Sequence, residues 1–462
     1  MKIMIKNISI LLVLMASSLS SRAQDTIAPQ TYTFTLQEAI VYGLENSYTA
    51  KNASRDVAIS LKQKWEIIAQ GLPQIGGKID YQNYLKQPVT LIPGEIAGGA
   101  PGTFVPVTFG TKQNVNATGT WNQVIFDGSY IVGVQSAKTL LQTSENAKVK
   151  SDLEVKQAIV DAYGNVLISR KSVEILEKNV TTITKTLDDT NKIFENGLAE
   201  EEDVEQLQIT LLGLETNLNN AKRQQAIALD MLKVTLGIPL ENQIIITDNL
   251  EDLTMQYYDL GILQQEIAAE ENIDYRIAED QVNSAATQVK LEKAKALPSL
   301  TAFVNYGFQG NSNEFSFLDS DQEYFQSSIL GVSLNIPIFS SGMRSARTAQ
   351  KQIAYEQSLE QLEETRNRVK LQIASAKNDY KFSLDNYANQ QKNLALAERI
   401  ENKNQIKFFE GIATSFELSE AQSQLYQAQQ DYLQAMLDVI SYKAALEKVL
   451  DTSKYQPEDS QN

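Results

Sequence analysis

Four stretches of this chain alternate apolar and polar residues with period two. In one, Val115, Ala117, Gly119, Trp121 and Ile125 alternate with Asn114, Asn116, Thr118, Thr120 and Asn122. Upstream, Ile79, Tyr81, Asn83 and Leu85 alternate with Asp80, Gln82 and Tyr84. Much later, Leu300, Ala302, Val304, Tyr306 and Phe308 take one parity, with Thr301, Asn305 and Gln309 on the other. Finally, Leu330, Val332, Leu334, Ile336 and Ile338 alternate with Gly331, Ser333 and Asn335. Successive side chains of a strand point to opposite faces, so the pattern predicts strands near 75–88, 112–127, 299–310 and 325–339, each with one apolar and one polar face. Such a strand suits a membrane barrel, with lipid outside and water inside, and equally an antiparallel sheet on a soluble core. Between the strands of each pair lies a Gly-, Pro-, Ser- and Asn-rich loop, Pro93–Gly102 in the first and Gly310–Asn313 with Asp319–Asp321 in the second.

The rest of the pattern is helical and unusually long. Ser129–Asn196 and Met343–Glu410 are equal in length, and neither contains proline or a turn cluster. At about 1.5 Å per residue such a helix is roughly 100 Å long, too long for a compact domain. Leu359, Leu362, Val369, Ile373, Ala376, Tyr380 and Tyr387 fall on one 3/4-spaced seam, interrupted at Arg366 and Ser383. A strict seven-residue repeat implies a left-handed coiled coil. Each tract stops at a glycine, Gly197 or Gly411, and a return helix comes next. A shorter helix precedes each strand pair. The first opens at Thr35 with the capping box Thr35-Leu-Gln-Glu38 and closes before Pro73, which cannot continue it.

These elements occur twice in the same order. Trp121–Gly128 corresponds to Leu334–Gly342, and Asn196-Gly-Leu-Ala199 to Glu410-Gly-Ile-Ala413; Gly128 is as far from Gly342 along the chain as Gly197 is from Gly411. Leu72-Pro73 corresponds to Leu297-Pro298. The chain therefore divides into a first repeat over 24–241, a linker over 242–254, a second repeat over 255–451 and a polar tail over 452–462. The segment 1–23 runs from Lys2 and Lys6 through the apolar Ile8–Met15 to Arg22-Ala23, the layout of a secretory signal peptide.

Composition narrows the chemistry. The chain of 462 residues has no Cys and no His, which removes disulfides, thiolate nucleophiles, the lipoprotein leader and the commonest general base and metal ligand. A net charge of −16 repels nucleic acid. Gly71–Lys78 fails as a phosphate loop, because its second glycine is misplaced and no Ser or Thr follows the lysine. Neither cofactor nor metal is expected, and no enzyme. Beyond the leader there is no run of 18 apolar residues, so any membrane span must be a β-barrel. Four strands cannot close one, whereas three copies supply twelve. The competing reading is a structural coiled-coil protein of the envelope, or a periplasmic adaptor without a pore.

The order of these features resembles the TolC-like outer-membrane factor family over the whole mature chain: Leu36-Gln-Glu-Ala39 with Asn46, both Leu-Pro closures, both Phe-containing strand ends and both glycine tips. The resemblance implies a membrane α+β fold: a homotrimeric, 12-stranded β-barrel in outer-membrane lipid, continued by a periplasmic coiled-coil barrel of α-helices. It also implies a passive duct for efflux or type I secretion, working with a periplasmic adaptor (membrane fusion protein) and an inner-membrane pump or ABC exporter. Pro73, Gly128, Pro298 and Gly342 would mark junctions between barrel and helices, and Gly197 and Gly411 the hairpin tips. Glu417 and Glu420, one helical turn apart, match family acidic positions that set cation affinity and gating, and Asp203 matches another; in a trimer each forms a ring of three. A solvated helix face is the alternative for all three carboxylates. Phe408 and Ala413 depart from the residues that hold the family's best-known member closed.

Overall fold

A computed structural model describes residues 30–450. The signal peptide and the polar tail lie outside the described residues. The chain divides into two compact units, the first made of residues up to Tyr48, Ala158–Tyr258 and Asn386–Ser441, the second of Thr49–Gln157, Asp259–Asp385 and residues from Tyr442 onward.

The second unit holds a four-stranded antiparallel sheet of β2 (Gln74–Asn83), β5 (Gln113–Asp127), β7 (Ser299–Ser312) and β8 (Tyr324–Asn335) in the order β2-β5-β7-β8. Within this sheet β2 and β8 are edges. Register puts the apolar parities on one face: Ile75 pairs with Trp121, Trp121 with Val304 and Val304 with Leu330. The opposite face carries Asn116, Thr118, Asn305, Gln309 and Ser333. A single bulge disturbs the alternation. Between Val124 and Phe126 the register shifts, so Ile125 has no partner and Phe126 pairs with Leu300 on the apolar face. Strict alternation puts Ile125 there instead; the extra residue reverses the parity of the strand beyond it. Phe303 and Phe325 are the large rings on the polar face, and Phe303 lies over Gly331, where a Cβ would stand 2.3 Å from the ring.

Three further features of the strands differ from the sequence pattern. β2 stops at Asn83, and the Gly-Pro-rich loop beyond it contains a hairpin of β3 (Val89–Pro93) with β4 (Phe104–Thr108). β8 stops at Asn335, two residues before Pro337, which has no N–H for a ladder. In the first unit the stretch 242–254 contains β6 (Gln243–Ile246) and the start of α5 (Leu250–Tyr257), and β6 pairs in parallel with β1 (Thr31–Phe34). That pairing is invisible in the sequence because most of the first repeat separates its two strands.

The first helix opens with the expected capping box: the Thr35 hydroxyl accepts from the Glu38 N–H, and the Glu38 carboxylate accepts from the Thr35 N–H at 2.8 Å. It is two helices, α1 (Leu36–Asn46) and α2 (Tyr48–Ala69), separated at Ser47, whose backbone is extended. The long tracts are single helices, α3 (Gly128–Glu195) and α7 (Met343–Phe409), with return helices α4 (Glu201–Leu236) and α8 (Ser415–Leu450). A shorter helix, α6 (Ile273–Ala294), precedes β7.

In the first unit, α3 and α4 meet along matching 3/4 seams. Val173, Leu176, Val180 and Ile183 pack with Leu211, Leu214, Leu218 and Ala221. Full burial of such a side chain contributes about 1.5–3 kcal/mol. On α7, Val369, Tyr380 and Tyr387 are buried as the seam requires, whereas Leu359 at its start is exposed. The two interruptions are accommodated. Ser383 donates to the Tyr380 carbonyl at 2.7 Å, and Arg366 pairs with Glu270 at 3.0 Å and Glu363 at 3.1 Å while its guanidinium lies over the Tyr275 ring.

The first unit also has a polar clamp. Tyr163 of α3 is completely buried, its hydroxyl 2.9 Å from Asp248 Oδ2 and 3.1 Å from the Phe34 carbonyl. The same Asp248 oxygen accepts from the Leu36 N–H at 2.7 Å, and Arg170 donates to the carbonyls of Ile246 and Asp248. One side-chain cluster therefore joins α3 to β1, α1 and the end of β6. Burial, and then the neighbouring Asp248 carboxylate, hold the Tyr163 phenol protonated far above its ordinary range.

Candidate pore entrance

The two helical hairpins turn by the same device. After α3, the N–H of Gly197 donates to the Phe194 carbonyl at 2.8 Å and that of Leu198 to Ile193 at 3.1 Å; after α7, Gly411 donates to Phe408 at 3.0 Å and Ile412 to Lys407 at 2.8 Å. This is the Schellman arrangement, which needs a left-handed residue at the turn, and the two glycines have φ of 73° and 69°. The constant offset between the repeats is therefore preserved down to individual hydrogen bonds.

The candidate junction residues split by physical reason. Pro73 and Pro298 each stand immediately before a strand, β2 and β7, after the preceding helix has closed. Gly128 and Gly342 occupy corresponding places but are not equivalent. A Cβ at Gly128 would stand 2.7 Å from the Leu297 side chain and 3.2 Å from the Ala294 carbonyl, so close packing demands glycine there. Gly342 has open space around it and a φ of 80°, so its backbone demands glycine. Asp127 completes the first junction by accepting from the N–H groups of Ser129 and Tyr130 at the start of α3.

At the return-helix starts the candidate carboxylates are engaged in different ways. Glu417 closes a capping box at the start of α8: its Oε2 accepts from the Thr414 N–H at 2.9 Å, and the Thr414 hydroxyl accepts from the Glu417 N–H at 3.2 Å. Glu420, exposed one turn on, accepts from the Gln424 amide at 3.0 Å. Asp203 accepts from the Glu200 N–H on its own hairpin and, through its other oxygen, from the Ser415 N–H on the second, both at 3.3 Å. Asp203 thus joins the two tips, and Thr210 and Ser419 add a hydroxyl pair at 3.0 Å. Sequence reasoning could identify the capping box at Thr414–Glu417 by its spacing, but not the Asp203–Ser415 bond, which joins the two repeats.

A second polar group inside the tip region carries no sequence signal. Gln422 of α8 is 1 % exposed, and neither atom of its amide has a hydrogen-bond partner within geometric limits. Glu401 of α7 lies beside it, with Tyr426 next along. Burial pushes the Glu401 carboxyl up from its ordinary range, the Gln422 amide opposing; burial and then the Glu401 charge push the Tyr426 phenol up. A carboxyl raised in the folded state keeps its proton where the unfolded chain has lost it. Its effect on stability is therefore absent below the ordinary carboxylate range and becomes a growing penalty as pH rises through that range to the raised value; above it, the penalty stays. Glu401→Gln is expected to raise the melting temperature at pH 7.5 and leave it unchanged at pH 4. Equal shifts at both values would show that ionisation of Glu401 is not the cause.

Among the described residues there is no cluster of metal-binding side chains and no helix long and apolar enough to cross a membrane. Residues 265–452 match the family model described as outer membrane efflux protein. The outer membrane protein TolC of Vibrio cholerae is 21% identical over 336 residues, 73% of this chain and 76% of that one. Two solved structures share the fold. The CmeC outer membrane channel of Campylobacter jejuni has a TM-score of 0.72 at 16% identity, over 92% of this chain and 87% of that chain. VceC of Vibrio cholerae has a TM-score of 0.66 at 17% identity, over 90% of this chain and 96% of that chain. The second repeat thus matches the outer membrane efflux protein family model, and most of the chain is similar in sequence to TolC and in fold to outer-membrane channels.

Proposed function

We propose that three copies of this chain form an outer-membrane duct, with the four-stranded sheet supplying one third of a 12-stranded barrel and the helical hairpins one third of a periplasmic tunnel. The observation that carries the reading is the sheet, with one apolar face, one polar face and two unpaired edges. In hydrocarbon every backbone N–H and C=O needs a partner, so a sheet with edges is stable only when copies close it. The apolar face then meets lipid and the polar face lines water.

The protein is a passive channel and not an enzyme. Cargo enters at the helix tips and leaves through the barrel, and the driving energy comes from an inner-membrane pump or ABC exporter joined through a periplasmic adaptor. Glu417, Glu420 and Asp203 would form rings of carboxylates at the tips, and such rings concentrate cations.

Single-channel conductance in a planar bilayer tests this. Glu417→Gln keeps the capping box, because glutamine serves at that position, while removing the charge. The wild type is expected to show a small conductance blocked by a trivalent cation. Combined Glu417→Gln and Glu420→Gln is expected to weaken that block by on the order of tenfold. Unchanged block would keep the duct and discard the gate, whereas no conductance from a folded trimer would discard the duct.

A further inference from the structure

The four strands of the sheet contain very little charge. Along β2, β5, β7 and β8 the charged residues are Lys78, Asp80 and Asp127. Asp127 stands at the far end of β5 from the other two and accepts from the first N–H groups of α3. Lys78 and Asp80 remain, two positions apart on the polar face of β2, where Lys78 pairs with Thr118 and Asp80 with Asn116. Their side chains form an ion pair at 3.0 Å and are 76% and 42% exposed. Next on that face, across β7, stand Gly307 and Gln309. Every strand residue around the pair is neutral.

We propose that the Lys78–Asp80 pair sets the charge selectivity of its stretch of the barrel by keeping the wall around it electroneutral, an inference that rests on the closed-barrel reading above. In three copies, the polar face around the pair becomes a stretch of lumen lined mainly by amides and hydroxyls, with three self-neutralised ion pairs. Opposite charges 3.0 Å apart cancel at distances well within the Debye length of about 8 Å at physiological salt. An ion or an acidic or basic cargo molecule passing the barrel therefore meets no net field there. Loss of either partner leaves a ring of three like charges on an otherwise neutral wall, and such a ring biases permeation toward the opposite sign. This exposed pair adds little to stability, so its effect on permeation is separable from folding.

The reversal potential of the full-length trimer in a planar bilayer, under a potassium chloride gradient, tests the proposal. Lys78→Gln is expected to shift it toward cation permeability and Asp80→Asn toward anion permeability, each corresponding to a severalfold change in the potassium-to-chloride permeability ratio. The double variant, and the swapped pair Lys78→Asp with Asp80→Lys, are expected to return to the wild-type value. Single variants that conduct with unchanged reversal potential, or that shift it in the same direction, overturn the proposal while leaving the duct intact. A wild-type trimer that does not conduct removes the duct reading and this inference with it.

Discussion

Replacing Tyr163 with alanine is expected to destabilise the first compact unit by about 3–5 kcal/mol, the usual cost of deleting a fully buried aromatic side chain. Tyr163 has no exposed surface, so its removal opens a cavity at the point where α3 meets β1 and α1. The hydroxyl adds to the ring. Without it Asp248 keeps the Leu36 N–H but loses its phenol partner, and the Phe34 carbonyl keeps only its bonds to Thr247. Tyr163→Phe isolates that part and is expected to cost about 1–2 kcal/mol, the range for a buried acceptor stripped of one partner. Thermal unfolding of the detergent-solubilised protein, followed by circular dichroism, separates the two contributions. An alanine variant that melts with the wild type would show that the clamp is dispensable. A phenylalanine variant as damaged as the alanine one would place the whole effect in the hydroxyl network.

A charge on the apolar face of the sheet is the second large perturbation. Leu330 lies midway along β8, is 76% exposed and pairs with Val304. In the proposed barrel this position faces lipid near mid-bilayer, where an arginine costs about 2–4 kcal/mol, hence roughly 6–12 kcal/mol over the three proposed copies. Leu330→Arg is therefore expected to abolish the heat-resistant trimer in outer-membrane fractions. Ser333→Arg, on the opposite face three residues along, is the matched control and is expected to assemble, because water can solvate it. Equal loss of trimer in both variants would mean that the two faces are not lipid and water, and normal assembly of Leu330→Arg would mean that the apolar face does not meet the bilayer.

Legibility of the candidate entrance followed the range of the interactions. The glycine turns, and the Thr414–Glu417 box, are local: a glycine at the turn, or a Thr and a Glu three residues apart, is enough, and the sequence displays both. The Asp203–Ser415 bond and the group of Gln422, buried, with Glu401 and Tyr426, partly buried, depend on how α3, α4, α7 and α8 pack. Glutamate, glutamine and tyrosine on a polar helix have no periodic signature of burial. Gly128 and Gly342 show the same limit, since their equivalence in the repeat hides that one is required for space and the other for backbone conformation.

By itself, the sequence determined the double repeat, the four amphipathic strands, the length of the helices and their seams, because hydrophobic period and backbone propensity act between near neighbours. It also excluded thiol and imidazole chemistry outright. Only the tertiary structure decided the parity change at Ile125, the parallel pairing of β1 with β6, the Tyr163–Asp248 clamp and the isolation of the Lys78–Asp80 pair among neutral neighbours. Each of these depends on which distant residue a side chain or strand meets, and that is settled by packing over the whole chain, not by the order of residues along it.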